Sequence, residues 1–325
     1  MRRHRWLMLL MLVAAAVALG ACGSDDNDNG ADGGATTGDQ AASAIKEDPA
    51  NASTTITVGS KNFTEQKVLG EIYAQALQAA GYKVKKELNL GDEKTAHKAV
   101  KDGQIDAYPE YTGTALLSFF GYKSNKLPKN PTKAYQAAKF GFASEGLTAF
   151  PPTPFTSSNE VAVTKETAQK YGLKKISDLS KVASKLTLYG SPECRQRLDC
   201  LLGLQQVYGL KFKKFVPVDI ALRHEVLNKG QADVSIVFTT DPQIKREGEV
   251  LLQDDKGMFP PYNSTLVMRN AVAKKGGTKL NDLITKVNKG LTAPAMQELN
   301  ARVDLDKKTP EEVGSEYLSE SGLTQ

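Results

Sequence analysis

The stretch YPEYTGT, residues 108–114, places two tyrosines and a carboxylate directly before an apolar helix. We expect Tyr108 to end a strand, Pro109 to break its hydrogen-bond ladder, and Tyr111 to lie in the following loop, with Thr112 or Thr114 near the helix cap. A loop tyrosine is less constrained by core packing than a strand tyrosine. Tyr111 is therefore predicted to face a ligand, whereas Tyr108 is either a second ligand contact or a core residue.

A second polar stretch, GSKNFTEQ at residues 59–66, follows a short strand-like run. Asn62 and Glu65 have the spacing of a capping box, which predicts that Asn62 caps a helix and Lys61 stands just outside it. The free N–H groups of the helix start, together with Lys61, suit a carboxylate. The alternative is that the stretch is only a well-capped helix.

The sequence contains few residues or motifs that could support catalysis or bind a metal. It has only three histidines, one of which is His4, and it lacks the G-x-S-x-G, Walker A and G-x-G-x-x-G patterns. Cys194 and Cys200 are too far apart for a C-x-x-C redox pair. We therefore expect no catalytic residues, no metal and no cofactor, so the polar groups point to binding.

The N-terminus predicts export. Arg2, Arg3 and Arg5 precede an apolar run that ends at Leu19-Gly20-Ala21-Cys22, a sequence that resembles a bacterial lipobox. Residues 1–21 are interpreted as a lipoprotein signal peptide, and Cys22 as the lipidated residue that anchors the chain to the outer face of the cell membrane. A plain secretory signal or an uncleaved anchor is the alternative.

Residues 22–53 are poor in large apolar side chains and are predicted to form a disordered tether. The net charge of +5 is spread over the sequence rather than gathered in a basic run, so nucleic acid is not expected as a partner. In an exported protein, Cys194 and Cys200 are predicted to form a disulfide, and two free thiols are the alternative.

Strand-like and helical patterns alternate along the rest of the chain. A strand at 55–58, an apolar helical face ended by Gly81, a strand at 82–85, a helix at 93–102 and a strand at 105–108 predict a largely parallel sheet. A GQxD turn occurs at Gly103–Asp106 and again at Gly230–Asp233, and each time a predicted helix precedes the turn and a predicted strand follows it. This repeat favours two similar α/β lobes with mixed, largely parallel sheets.

Two proline segments, at 150–155 and 259–263, are typical of crossings between lobes. They divide the chain into lobe 1 at 54–156, lobe 2 at 157–260, and a return to lobe 1 at 261–325 that includes helices near 280–301 and 310–319. A two-segment hinge of this kind places a ligand where the carboxyl ends of strands meet the facing lobe.

The sequence resembles the substrate-binding proteins of bacterial osmoprotectant ABC importers, which carry glycine betaine, choline or carnitine and have the type II periplasmic-binding-protein fold. The resemblance rests on GSKNFTEQ (59–66), GQIDAYPEYTGT (103–114), RxDCLLGLQQVYGL (197–210), FTTD (238–241) and FPPY (259–262). It implies two lobes that close on a quaternary ammonium group in an aromatic cage, while a basic side chain holds a carboxylate.

By this resemblance, Tyr111 and Thr114 belong to the cage side, and Arg197 holds the carboxylate with help from Lys61. Asn159 is a further candidate ligand residue. Cation–π attraction of about 0.5–2 kcal/mol per ring explains why several rings are needed. Arg197 alternatively neutralises only Asp199.

The sequence also departs from the family. Where relatives carry tyrosine, this chain has Val161, His224 and Phe238. Phe238 keeps a ring in the cage or is a core strand residue, and Glu160 or His224 supplies polar contacts. His224 is alternatively an ordinary residue on a helix surface.

The resemblance thus implies a lipid-anchored, extracytoplasmic solute-binding protein that delivers a quaternary ammonium or zwitterionic compound to an ABC permease and its ATPase. The alternatives are the same receptor with another small organic solute, such as an aromatic or sulfur-bearing betaine, a ligand-sensing lipoprotein without transport, and an enzyme of unknown type.

Overall fold

The computed structural model describes residues 44–123 and 126–325, which form two five-stranded sheets flanked by helices. The strands of this part of the chain are β1 (Thr55–Gly59), β2 (Lys83–Glu87), β3 (Ala107–Tyr111), β4 (Leu147–Ala149), β5 (Asn159–Val163), β6 (Thr187–Gly190), β7 (Lys214–Pro217), β8 (Val234–Phe238), β9 (Val250–Leu252) and β10 (Ser264–Arg269). Its α-helices are α1 (Thr64–Ala79), α2 (Glu93–Asp102), α3 (Thr112–Ser118), α4 (Pro131–Ser144), α5 (Lys165–Tyr171), α6 (Leu201–Tyr208), α7 (Arg223–Asn228), α8 (Gln243–Glu247), α9 (Asn270–Lys289), α10 (Ala293–Asp304) and α11 (Pro310–Glu320).

The two sheets have the same topology. Lobe 1 contains the sheet β2-β1-β3-β10-β4, and lobe 2 contains the sheet β7-β6-β8-β5-β9. The first three strands of each sheet pair in parallel, whereas β10 and β5 pair antiparallel with both of their neighbours. These two reversed strands are the ones that arrive from the other lobe. The prediction of two similar α/β lobes with mixed sheets is therefore confirmed, with as many antiparallel pairings as parallel ones.

The two GQxD turns have the same structural role. Gly103 and Gly230 adopt φ of 77° and 68°, a region that favours glycine. Asp106 then accepts a hydrogen bond from the backbone N–H of Thr57 in β1 at 2.9 Å, and Asp233 accepts one from Thr187 in β6 at 2.7 Å. Each aspartate thus fixes its strand beside the parallel neighbour, so the repeat in the sequence is a repeat in the fold.

The two crossings between the sheets contact each other. Thr156 and Asn263 form an isolated antiparallel bridge, and Ser157 donates its backbone N–H to the carbonyl of Tyr262 at 3.1 Å. One crossing leads from β4 to β5 and the other from β9 to β10. The last three helices return to lobe 1, where α9, α10 and α11 pack with α1 around a core that includes Ile72.

Two local predictions were wrong. Strand β3 continues through Pro109, which pairs with Leu266 of the antiparallel β10, so Tyr111 is its last residue rather than a loop residue. Asn62 does not cap α1: the N-cap residue is Phe63, which makes no side-chain cap bond. The side chain of Gln66 accepts from the backbone N–H of Lys61 at 3.5 Å, and the backbone N–H of Asn62 donates to the carbonyl of Gly91 at 3.0 Å.

The predicted tether is corrected for residues 44–53, which are held against lobe 1. Ile45 packs against the core and donates its N–H to Leu323 at 2.8 Å. A 3₁₀ helix at Pro49–Ser53 follows, and the side chain of Asn51 donates to the carbonyl of Ala80 at 2.8 Å. Composition did not indicate this attachment, because it requires only one isoleucine and a few hydrogen bonds. The rest of the tether and the predicted signal, including Cys22, lie outside the described residues.

Cys194 and Cys200 form the predicted disulfide, with 5.1 Å between their Cα atoms. It joins the 3₁₀ helix Pro192–Gln196 to the residue that precedes α6. Within residues 44–123 and 126–325, no helix combines the length and the apolar character that a membrane crossing requires.

Removal of residues 44–53 is expected to destabilise the domain. A chain that begins at Thr54 loses the hydrogen bonds and apolar contact above, so its free energy of unfolding should fall by about 1–3 kcal/mol relative to a chain that begins at Ala44. Urea denaturation measures the difference. Ile45→Ala in the longer chain should account for part of the loss, and equal stability of the two chains would refute the docking of this segment.

Candidate functional site

A cavity lies between the two lobes at the carboxyl ends of the parallel strands. The loop after β1, the start of α2 after β2, and the end of β3 line it from lobe 1, and the segments after β6 and β7 and the end of β8 line it from lobe 2. The lining residues used below are Lys61, Asn62, Phe63, Asp92, Glu93, Tyr111, Thr114, Ser157, Asn159, Glu193, Arg197, Ile220, Arg223, Phe238 and Tyr262. This is the place that the repeated α/β topology predicts.

Six of the predicted ligand residues line the cavity: Lys61, Tyr111, Thr114, Asn159, Arg197 and Phe238. Tyr108 and His224 do not. Tyr108 is fully buried on the other face of β3, in the core between β3 and the helices α2, α3 and α4. Its hydroxyl donates to Glu110 at 3.2 Å. Alternation along a strand sends Tyr108 and Tyr111 to opposite faces, which is why one tyrosine lines the cavity and the other does not.

Lys61 is paired beneath the cavity floor. Its ammonium group lies 2.5 Å from the carboxylate of Glu110, a side chain with no solvent exposure. The same carboxylate oxygen accepts the backbone N–H of Tyr111 at 2.7 Å. The ammonium also lies 4.6 Å from the ring centroid of Tyr111, within the range of a cation–π interaction. Lys61, in the loop after β1, is therefore already engaged with Glu110 and Tyr111 at the end of strand β3.

Arg197 joins the two lobes. Its Nε and Nη2 atoms donate to the two carboxylate oxygens of Asp199 at 2.8 and 2.6 Å, and Asp199 is fully buried. Its Nη1 atom lies 3.1 Å from the carboxylate of Glu93 on lobe 1. Burial opposes the charge of Arg197, but Asp199 and Glu93 outweigh it and raise the pKa of the guanidinium. The pairing with Asp199 is thus observed, and it is a buried bridge rather than a surface pair.

Two further groups fix Asp199. The hydroxyl of Tyr262, in the second crossing, donates to its carboxylate at 2.6 Å. The side-chain amide of Asn159 donates to its backbone carbonyl at 2.9 Å. Asn159 therefore holds the segment that carries Arg197 as well as lining the cavity.

Arg223, which the sequence reading missed, is the third cation of the cavity. Its Nε and Nη2 atoms donate to Asp241 at 2.8 and 2.5 Å, and its guanidinium carbon lies 4.7 Å from the ring centroid of Phe238. Burial opposes ionisation of Asp241, yet Arg223 and His224 hold the pKa of its carboxyl well below the usual range.

His224 stands behind this pair rather than on the helix surface. It is 4% exposed, with Nε2 2.9 Å from Asp241 and Nδ1 2.9 Å from Glu249. Burial opposes protonation, but the two carboxylates raise the pKa of His224 above its ordinary value. His224 is thus a positioning residue for Asp241 and Arg223. Val161, another of the three departures from the family, lies in the core of lobe 2.

Among the residues that the structure describes, four aromatic side chains line the cavity: Phe63, Tyr111, Phe238 and Tyr262. Phe63 lies between the lobes, with ring-centroid distances of 6.3 Å to Tyr111 and 5.3 Å to Phe238. The rings therefore converge from both lobes. Phe63 was missed although it belongs to the quoted GSKNFTEQ stretch, and Tyr262 although it belongs to FPPY.

Tyr111 is anchored by a buried carboxylate. Its hydroxyl donates to Glu65 at 2.6 Å, and the side-chain amide of Asn300 donates to the other oxygen of Glu65 at 3.1 Å. Asn300 also donates to the carbonyl of Thr240 in lobe 2 at 3.1 Å. Burial raises the pKa of Glu65 against the opposing effect of these hydrogen bonds. Glu65 thus supports the ring of Tyr111 instead of completing a capping box.

The charges around the cavity favour a cation. Its lining cations, Lys61, Arg197 and Arg223, are each paired with a buried carboxylate behind the wall. Three more lining carboxylates belong to Asp92, Glu93 and Glu193. Because the paired cations are neutralised, the lining has an excess of negative charge. Aromatic faces and carboxylates together suit an organic cation.

Comparison with known proteins places the chain in a family. Residues 54–320 match the family described as the substrate-binding domain of an ABC-type glycine betaine transport system, and the chain belongs to it. It is 32% identical to the glycine-betaine-binding protein of Pseudomonas aeruginosa over 83% of this chain and 88% of that protein.

Two other matches extend this comparison. The chain is 31% identical, over 86% of its length, to the ergothioneine transport permease and binding protein EgtU of Helicobacter pylori, but it spans only 49% of that relative. A crystal structure titled as a glycine betaine/carnitine/choline ABC transporter superposes with a TM-score of 0.64 at 28% identity, over 82% of this chain and 98% of the other. These relatives are solute-binding and transport proteins, in agreement with the expectation that the chain is not an enzyme.

The network behind Arg223 predicts a pH-dependent stability. Because the folded pKa of His224 is raised, its stabilising effect is fully present below about pH 6.5 and is lost as the pH rises through the folded pKa. The stability difference between the wild type and His224→Gln should therefore shrink from about pH 5 to about pH 9 in urea denaturation.

His97 provides a control of opposite sign. Burial lowers the pKa of His97 in spite of the nearby Glu145. A His97→Gln variant should therefore gain stability relative to the wild type as the pH falls below about 6.5. A His224→Gln difference that does not change with pH would contradict the assigned network.

Proposed function

We propose that this chain is the extracytoplasmic solute-binding component of an ABC importer, and that it binds a small quaternary ammonium or zwitterionic osmoprotectant between its lobes. The observation that carries the proposal is the convergence of Phe63 and Tyr111 from lobe 1 with Phe238 from lobe 2. The cations among the described lining residues are already paired with carboxylates of the protein. Membership of the family and the names of its relatives support the solute class.

Binding works through closure of the lobes. Glu93 and Arg197, Asn300 and Thr240, and the side chains of Gln243 and Asp304 at 3.0 Å make contacts between the lobes around the cavity. A solute that contacts both lobes stabilises this arrangement over an open one, and a permease with its ATPase recognises the closed shape. Lipidation at Cys22 anchors the receptor to the outer face of the membrane, near that permease.

A second candidate keeps the receptor and changes the solute to an aromatic or sulfur-bearing betaine. It is favoured by the position of Val161 in the core and of His224 behind Asp241, which leaves two expected cage positions without rings. The relative named for ergothioneine agrees with this candidate. A ligand-sensing lipoprotein without transport would use the same cavity but lack a permease partner.

The cage is tested at Tyr111. A thermal-shift screen of residues 44–325 against choline, glycine betaine, carnitine and ergothioneine should find a stabilising solute, since a ligand at about 100 times its Kd adds about 2.7 kcal/mol. Tyr111→Leu should weaken the binding of that solute at least about tenfold, because it removes one ring worth up to about 2 kcal/mol.

Tyr111→Phe is the matched control, because it keeps the ring and removes only the hydroxyl that donates to Glu65. It should retain most of the affinity in calorimetry. Equal affinities of Tyr111→Leu and Tyr111→Phe, or the absence of any shift with the four solutes, would reject the proposal.

A further inference from the structure

Arg197 has little capacity left for a ligand carboxylate. A guanidinium presents five N–H donors, and a carboxylate binds best to two of them on one edge. Asp199 occupies the edge formed by Nε and Nη2. The second edge, formed by Nη1 and Nη2, carries Glu93 at 3.1 Å from Nη1. A solute carboxylate can therefore reach Arg197 only by sharing or displacing Glu93.

Displacement of Glu93 is unfavourable. Its side chain is 3% exposed, and apart from Arg197 it accepts a hydrogen bond from the hydroxyl of Ser118 at 3.3 Å. A buried carboxylate that loses its cation must either hold an uncompensated charge in a poorly solvated place or take up a proton, and both are unfavourable for a carboxylate at neutral pH. If Glu93 stays, it repels a second carboxylate across the same guanidinium.

The other two lining cations offer no better position. Lys61 is bound to Glu110 at 2.5 Å. Arg223 uses Nε and Nη2 for Asp241, and its Nη1 donates to the carbonyl of Ile220 at 2.5 Å. Among the described residues that line the cavity, every cation is thus already engaged with a group of the protein itself.

We propose that Glu93 is a specificity-determining residue that disfavours quaternary ammonium solutes with a carboxylate. The site would instead favour solutes, such as choline, that carry a hydroxyl group where a betaine carries its carboxylate. This inference rests on the proposed function and narrows its solute class. Glu93 enters from the start of α2, so lobe 1 supplies to Arg197 of lobe 2 the carboxylate that a betaine would otherwise bring.

The test is a comparison of two solutes by calorimetry. The wild type, residues 44–325, should bind choline at least about tenfold more tightly than glycine betaine. Glu93→Gln removes the competing charge and keeps the side-chain volume. It should therefore lower the ratio of choline affinity to glycine betaine affinity at least about tenfold. Asp102→Asn, which removes a carboxylate from the exposed far end of the same helix, should leave the ratio unchanged.

The ratio of affinities distinguishes specificity from a structural role, because a general loss of closure weakens both solutes alike. A wild type that prefers glycine betaine, or a ratio that moves less than about threefold in Glu93→Gln while choline still binds, would overturn the inference and leave the proposed function intact. Binding of neither solute to any form would overturn the inference, whereas the proposed function is rejected only if carnitine and ergothioneine also fail to bind. If Glu93→Gln does not fold, Glu93→Ser is measured with the same expected direction.

Discussion

The site depends on one constraint, which is that every cation facing the cavity must be paired with a carboxylate buried behind the wall. An unpaired ammonium or guanidinium in such a poorly solvated place would be costly, and so would a lone carboxylate. Glu110, Asp199 and Asp241 meet this requirement for Lys61, Arg197 and Arg223. As a consequence, the charges of these cations are neutralised within the protein, whereas the aromatic faces and the remaining carboxylates of the cavity favour a positively charged group.

The duplicated fold places these pairs where they can act together. Each lobe brings the carboxyl ends of three parallel strands to the same cavity, and each has an aspartate of a GQxD turn that fixes the strand register. The strands that cross between lobes run antiparallel and leave Ser157 and Tyr262 side by side at the crossing. Tyr262 then reaches Asp199, so the crossing and the carboxylate that supports Arg197 are directly linked.

The sequence was sufficient for the architecture because alternation of strands and helices, the repeated turn and the proline crossings are local patterns. It was also sufficient to predict six of the residues that line the cavity. It was insufficient for partners far apart in the chain: nothing local indicates that Glu93 meets Arg197, or that Glu65 receives the hydroxyl of Tyr111. Tyr108 stayed open between a ligand contact and a core residue, and the alternation of side chains along β3 decides for the core.

Phe238 and His224 illustrate the same limit. Alignment with the family suggested both as cage positions, but only the side chain at the end of β8 reaches the cavity. His224 lies one residue from Arg223 on α7, and the helix turns the two side chains to different partners. Of these two neighbouring residues, Arg223 lines the cavity and His224 supports it from behind. Composition and spacing do not indicate which of two adjacent residues on a short helix faces the cavity.

The central claim is that the cavity selects positive charge. It is tested most directly by calorimetry of the wild-type domain with choline and with its neutral carbon analogue, in which a quaternary carbon replaces the nitrogen and the shape is kept. The account predicts that choline binds at least about 100-fold more tightly, since several rings and carboxylates act only on the charge. Comparable affinities would mean that the cavity recognises shape and apolar surface, and would contradict the account.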